Sequence, residues 1–206
     1  MGTSRSALLV LLGSTLFVVA LWAATDPRLP LAGSAKPAGF TPVAAVTPAR
    51  VAAGADEDPL RLLTERRLLI PVKGLPRAAL RDNFDEKRGV RPHEALDIMA
   101  PRGTPVVAVD DGKVAKLFHS ALGGITIYQF DPGSRFAYYY AHLDRYASGL
   151  VEGAQVKRGE VIGYVGSTGN APANAPHLHF TVFRLGPEKR WWTGKAVNPY
   201  AFLNES

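Results

Sequence analysis

The sequence predicts an all-β protein: a small antiparallel β-sheet domain of barrel-sandwich type, preceded by an apolar N-terminal helix and a linker. Three observations carry this. Beyond Arg67 the apolar residues fall in short runs with alternating character, such as Phe136 to His142 and His177 to Arg184. Turn signals separate them: Asp111-Gly112, Gly123-Gly124 and Asp131-Pro132-Gly133. The spacing of roughly ten residues per strand and turn suits a sandwich or barrel, and no long amphipathic pattern interrupts it.

Taken in order, residues 1–24 read as a signal-anchor or signal peptide. Arg5 is their only charged side chain, and Ala7 to Ala24 form an unbroken run of apolar or small residues. As a helix that run spans about 27 Å, close to the roughly 30 Å hydrocarbon core. Trp22 suits an interfacial position, and Arg5 belongs on the cytoplasmic side. The remainder is therefore expected outside the cytoplasm. It stands on the periplasmic side of the membrane if anchored, or is periplasmic or secreted if the signal is cleaved. Residues 25–56 carry Pro27, Pro30, Pro37, Pro42 and Pro48 among Ala, Gly and Val, the composition of an extended linker.

The globular domain is assigned to residues 57–206. Asp58-Pro59 opens a short helix as N-cap and first helical residue, ending near Arg67. Strands are expected over 68–72, 106–109, 113–118, 125–130, 136–142, 161–165 and 177–184, with Asp111-Gly112 as a hairpin-type turn. Trp191-Trp192 and Val197-Asn198-Pro199-Tyr200 read as packing of the tail onto the sheet.

Of 206 residues none is cysteine, which excludes disulfides, thiolate metal sites and thiol nucleophiles. The net charge of +6 fits an anionic partner such as a cell-wall polymer, nucleic acid or a lipid surface. Of the residues that could carry chemistry, the five histidines are the most informative. His119 sits at a strand end and reads as a surface residue. The other four are distinctive. His93 and Asp97 stand four apart, and His142 ends the run Tyr138-Tyr139-Tyr140-Ala141. His177 and His179 alternate with Leu178, Phe180 and Val182. On a strand, those two imidazoles share one face while the apolar residues enter the core. By the same period Tyr138, Tyr140 and His142 share a face.

A catalytic zinc takes three ligands from His and Asp or Glu and keeps one position open. His93, Asp97 and one member of the His177/His179 pair make such a set. His142 and the remaining imidazole are then surplus to ligation and suit proton transfer and oxyanion stabilisation.

In these motifs the chain resembles the lysostaphin/LytM-type zinc metallopeptidases, which act on bacterial peptidoglycan. The resemblance rests on His93-Glu94-Ala95-Leu96-Asp97, Ala100-Pro101-Arg102-Gly103-Thr104-Pro105 and Tyr140-Ala141-His142-Leu143. It continues in Gly159 to Gly169, Pro176-His177-Leu178-His179-Phe180 and Val197-Asn198-Pro199. It implies a β domain with a groove across the zinc. Zn2+ is then held by His93, Asp97 and His179, and His142 and His177 act as non-ligand catalytic residues. The implied partners are peptidoglycan peptide stems, with the inner membrane through the N-terminal segment and no nucleic acid. The implied function is a zinc-dependent endopeptidase cutting peptide cross-links. The alternative is a non-enzymatic peptidoglycan-binding regulator of other wall hydrolases, for which loss of ligands is the mark. Ala175, Thr181 and the segment Asn170 to Asn174 depart from the usual pattern without removing a ligand. Gly166-Ser167-Thr168-Gly169 and the loop to Ala175 are expected to form one groove wall.

Overall fold

A computed structural model describes residues 58–89 and 91–204. The expected anchor and the linker lie outside the described residues. Among the described residues no helix is long and apolar enough to cross a membrane.

Helix α1 (Pro59–Arg66) begins as the sequence predicts, with the Asp58 carboxylate accepting from the Leu60 N–H at 3.0 Å. It stops at Arg67, whose φ of 49° is left-handed. Its last residue fastens the helix to the β structure. Arg66 donates to Asp110 at 2.6 Å and to Asp131 at 2.7 Å, and the buried Tyr138 hydroxyl donates to the same Asp110 oxygen at 2.9 Å. Both carboxylates are largely out of water. Arg66→Leu would leave them facing each other without the cation. It is expected to lower the unfolding free energy by about 3 kcal/mol, read as a drop in the urea midpoint.

The strands follow in order: β1 (Leu68–Leu69), β2 (Lys87–Arg88), β3 (Arg91–Pro92), β4 (Leu96–Met99), β5 (Pro105–Val107), β6 (Gly112–Ser120) and β7 (Gly124–Phe130). After them come β8 (Phe136–Tyr146), β9 (Gln155–Val156), β10 (Val161–Val165), β11 (His177–Arg184), β12 (Lys195–Val197) and β13 (Leu203–Asn204). The main sheet runs β12-β11-β8-β7-β6-β9, and its pairings are antiparallel. β4 joins the first half of β11, and β10 bridges β5 to the end of β8. The antiparallel all-β expectation agrees with this architecture. β4 and β12 are additions that the sequence pattern did not single out.

Core-facing positions alternate as the period requires. Leu178, Phe180 and Val182 of β11 are fully buried, with Phe136, Tyr138 and Tyr140 of β8. The two tyrosines keep their hydroxyls satisfied: Tyr140 donates to Gln129 Oε1 at 2.7 Å and accepts from the Val109 N–H at 3.1 Å.

One local expectation is corrected and another holds in part. Asp111-Gly112 closes no hairpin, because β5 pairs with β10 while β6 pairs with β7 and β9. The chain changes partners there. The Asp110 carboxylate is held by Arg66 and Tyr138, and its carbonyl accepts from Gln129 at 2.7 Å. The packing onto the sheet expected of Trp191-Trp192 holds for Trp191 alone. Trp191 is half-buried on other rings, whereas Trp192 is 59% exposed.

Candidate metal centre

The site is assembled where β11 runs between β4 and β8. Burial of Leu178 and Phe180 turns His177 and His179 to the opposite face. The cross-strand register sets His179 beside Asp97 and His177 beside Met99. His93 is delivered just ahead of β4. Glu94 takes a left-handed φ of 55°, which bends the chain so that His93 turns back toward Asp97.

Three donor atoms converge. His93 Nε2 lies 2.9 Å from Asp97 Oδ1, His179 Nδ1 lies 3.1 Å from the same oxygen, and the two nitrogens are 3.2 Å apart. Tetrahedral zinc with bonds of about 2.0–2.1 Å separates its ligand atoms by roughly 3.3 Å. The triangle therefore fits such an ion in both donor type and edge length. Two imidazoles with one carboxylate also fit by charge.

Surrounding groups orient His93 and Asp97. His93 Nδ1–H donates to the Asn83 carbonyl at 3.0 Å, leaving Nε2 with its lone pair toward the triangle. Arg88 donates to Asp97 Oδ2 at 2.7 Å, which directs Oδ1 inward. The Asp97 N–H donates to Asn83 Oδ1 at 3.1 Å. Burial works against ionised Asp97, but the His179 and His93 rings outweigh it and hold the carboxyl well below the usual carboxylate range. Burial likewise disfavours a charged His93, yet its bonds to Asp97 and Asn83 raise its pKa. The triangle attracts positive charge.

His142 and His177 stand beside it. Their ring centroids are 4.9 Å apart, and His142 is 5.4 Å from His179. Each donates Nδ1–H to a carbonyl at 2.8 Å, His142 to Thr168 and His177 to Ala175. Since a carbonyl only accepts, the unprotonated nitrogen of each neutral ring is Nε2. For His177 that atom lies 3.7 Å from Asp97 Oδ1. Burial pushes the His142 pKa down to about 4, so the ring is neutral at pH 7.

His142 reaches this face only through a bulge. Ile127 faces Tyr140 and Ile125 faces Leu143, so β8 carries one extra residue between them. His142 absorbs it with a left-handed φ of 59°. The period-two expectation therefore fails: Tyr138 and Tyr140 enter the core, and His142 turns to the metal face. Tyr139 is on that face too, edge-on to His179 at 6.1 Å.

Two loops hold the bulge. The His142 N–H donates to the Gly123 carbonyl at 2.8 Å, and the His142 ring is tied to Thr168. Gly123-Gly124 and Thr168-Gly169 press together so closely that a Cβ on Gly124 or Gly169 would collide with backbone. Both glycines also have positive φ. Gly169→Ala is expected to displace the seat of His142 and to lower the urea midpoint by more than conformational strain alone would. Gly149→Ala, at a similar φ but with nothing near, carries only the conformational cost of about 1 kcal/mol. Comparing the urea midpoints of the two variants separates collision from strain.

Residues 91–199 match the model of peptidase family M23. The chain belongs to peptidase family M23.

Relatives of this M23 chain include an L-Ala–D-Glu endopeptidase of Bacillus subtilis (strain 168), 34% identical over 120 residues, covering 56% of this chain and 35% of the relative. The peptidoglycan DD-endopeptidase ShyC of Vibrio cholerae is 32% identical over 134 residues, covering 57% and 30%. The chain thus spans about a third of the length of these two relatives. Among solved structures, Csd3 of Helicobacter pylori superposes with a TM-score of 0.52 at 28% identity, covering 68% of this chain and 33% of that one.

A cleft of about 920 Å³ opens from the M23 site on the β4 side, lined by Arg81, Asn83, Arg88, Met99, Pro172 and Ala175 together with Asp97 and His177. The loop after Gly169 thus forms part of one wall. The change to Ala175 leaves its carbonyl contact with His177 intact, and Thr181 is buried opposite Tyr139. His119 is exposed on β6 and takes no part. Asn83, Arg88 and Tyr139 are site residues that local pattern did not single out. An Asn or Arg near a turn carries no mark of its function until the chain folds.

Proposed function

We propose that this chain is a zinc-dependent endopeptidase that hydrolyses peptide cross-links of bacterial peptidoglycan. The observation that carries it is the His93–Asp97–His179 triangle with two further imidazoles, His142 and His177, beside it. The names of the relatives support the substrate. The intact donor set favours hydrolysis over a purely regulatory role.

His93, Asp97 and His179 would hold the zinc. When bound, it supplies a Lewis acid that polarises the scissile carbonyl and makes water nucleophilic near neutral pH. The chain's own residues do the rest. His142 Nε2, neutral and fixed by Thr168, accepts a proton from the attacking water and later delivers it to the leaving amine. Once protonated it is also a cationic donor for the developing oxyanion, a role the adjacent His177 shares. Arg88 and Asn83 keep Asp97 and His93 in position. The cleft on the β4 side and the aromatic floor around Tyr139 receive the two arms of the substrate.

The domain partition follows the same reading. Residues 1–24 anchor or export the chain, residues 25–56 act as a spacer, and residues 57–206 work outside the cytoplasmic membrane. The apolar run Ala7 to Ala24 supports this. Mass spectrometry of fragments released from purified sacculi, with and without a chelator, tests the activity. Chelator-sensitive release of peptide-cleaved fragments is expected. Binding to sacculi without release would establish the regulatory role instead.

A further inference from the structure

A run of aromatic rings leaves the metal face, and beyond Tyr139 it has no part in the chemistry above. From His179 it passes to Tyr139 at 6.1 Å, to Tyr128 at 4.6 Å, to Trp191 at 4.8 Å and to Trp192 at 5.2 Å. Phe118 flanks Trp191 at 5.4 Å. The arrangement depends on the loop between β11 and β12. It folds back across β11 and β8 to lay Trp191 on rings of β6 and β7. The run ends in solvent, with Trp192 59% and Phe118 39% exposed. Arg190 lies over the Trp192 ring at 5.8 Å. Beside the two tryptophans a cleft of about 490 Å³ is rimmed by Lys113, Glu152, Glu188 and Lys189.

We propose that Trp191 and Trp192 form a platform for the glycan strand of peptidoglycan, holding a sugar ring while its peptide stem lies across the metal site. This rests on the peptidoglycan reading above.

Three features select a glycan. The C–H face of a pyranose ring is apolar and stacks on an aromatic face, while its hydroxyls point outward to polar groups. The exposed indole with its charged rim offers both surfaces. The floor is continuous with the metal site, so the occupant must be joined to what is cut there. A lipid bilayer laid on these rings would instead cover the site. Reach also agrees. An extended stem of about four residues spans roughly 13 Å, comparable with the three ring-to-ring steps from His179 to Trp191. The basic Lys189 and Arg190 suit a polymer that carries carboxylates.

The test uses the full-length chain and stem-free glycan strands prepared from sacculi. Indole fluorescence should titrate to saturation with these strands. Trp192→Ala should weaken binding about fivefold, and Trp192→Tyr should restore most of it. The ratio of kcat/KM on sacculus fragments to that on a sugar-free cross-linked peptide should fall by a similar factor in Trp192→Ala. Because Trp192 is exposed, the variant should retain the wild-type unfolding midpoint. Equal glycan binding by wild type and Trp192→Ala overturns the platform. So does Trp192-dependent binding to phosphatidylethanolamine/phosphatidylglycerol vesicles with none to glycan strands. If sacculi are never cleaved while Trp192-dependent glycan binding persists, the platform stands and the hydrolytic reading fails.

Discussion

Replacing His179 with Ala is expected to abolish both metal retention and release of peptide fragments from sacculi. The ring supplies one of three donor atoms lying within 2.9–3.2 Å of one another. Two ligands cannot close a site that needs three and an open position. The remaining pair also loses the ring that helps hold the Asp97 carboxyl low. Elemental analysis of the purified variant should find less than one-tenth of the wild-type zinc, and sacculus digestion should fall to the chelated background. The fold should persist, because His179 is on the open face while Leu178 and Phe180 hold β11 in the core. A variant that still cleaves sacculi would remove His179 from the metal set.

Replacing His142 should give the opposite split, with zinc retained and hydrolysis lost. Its ring is outside the triangle, and its Nδ1 is committed to the Thr168 carbonyl at 2.8 Å. Removing a positioned acid–base group typically costs about 10²–10⁴ in rate. Asn is the more informative replacement, since it tolerates the left-handed backbone that His142 adopts. kcat/KM on sacculus fragments should fall at least about a hundredfold, with zinc content unchanged.

The same ring gives the metal-free protein a pH signature. Its pKa is depressed by burial from 6.5 to about 4, so the unfolded chain binds the proton more readily than the folded chain. The sign follows directly. The ring favours folding fully above its unfolded pKa, and that contribution is lost as pH falls from about 6.5 toward 4. In the chelated chain the advantage in denaturant midpoint of wild type over His142→Asn should therefore shrink as pH falls through this window, whatever His93 contributes with the opposite sign.

These predictions depend unequally on what sequence alone reveals. His93, Asp97, His177 and His179 were legible because their residue types are those of metal chemistry. Alternation with Leu178, Phe180 and Val182 also fixed which side of β11 carries the imidazoles. The roles within the HxH pair were not legible from the local pattern, where the two histidines are equivalent. Only the register of β11 against β4 separates them, placing His179 beside Asp97 and His177 beside Met99. His142 was legible as a residue, but its orientation was misread. A one-residue bulge reverses the face of everything beyond it, and nothing in Tyr138 to Leu143 marks the insertion.

The sequence by itself determined the antiparallel β class, the start and end of α1 and which histidines and aspartate to look for at the candidate site. Each depends on period, capping or side-chain chemistry within a few residues. Tertiary structure alone decided how β8 pairs through its bulge and how the glycine loops seat His142. It also decided that Asn83 and Arg88 hold His93 and Asp97 in place and that Trp191 lands on Tyr128. Each of these joins residues distant in the chain or bends the backbone through packing, so its energy exists only once the strands are in register.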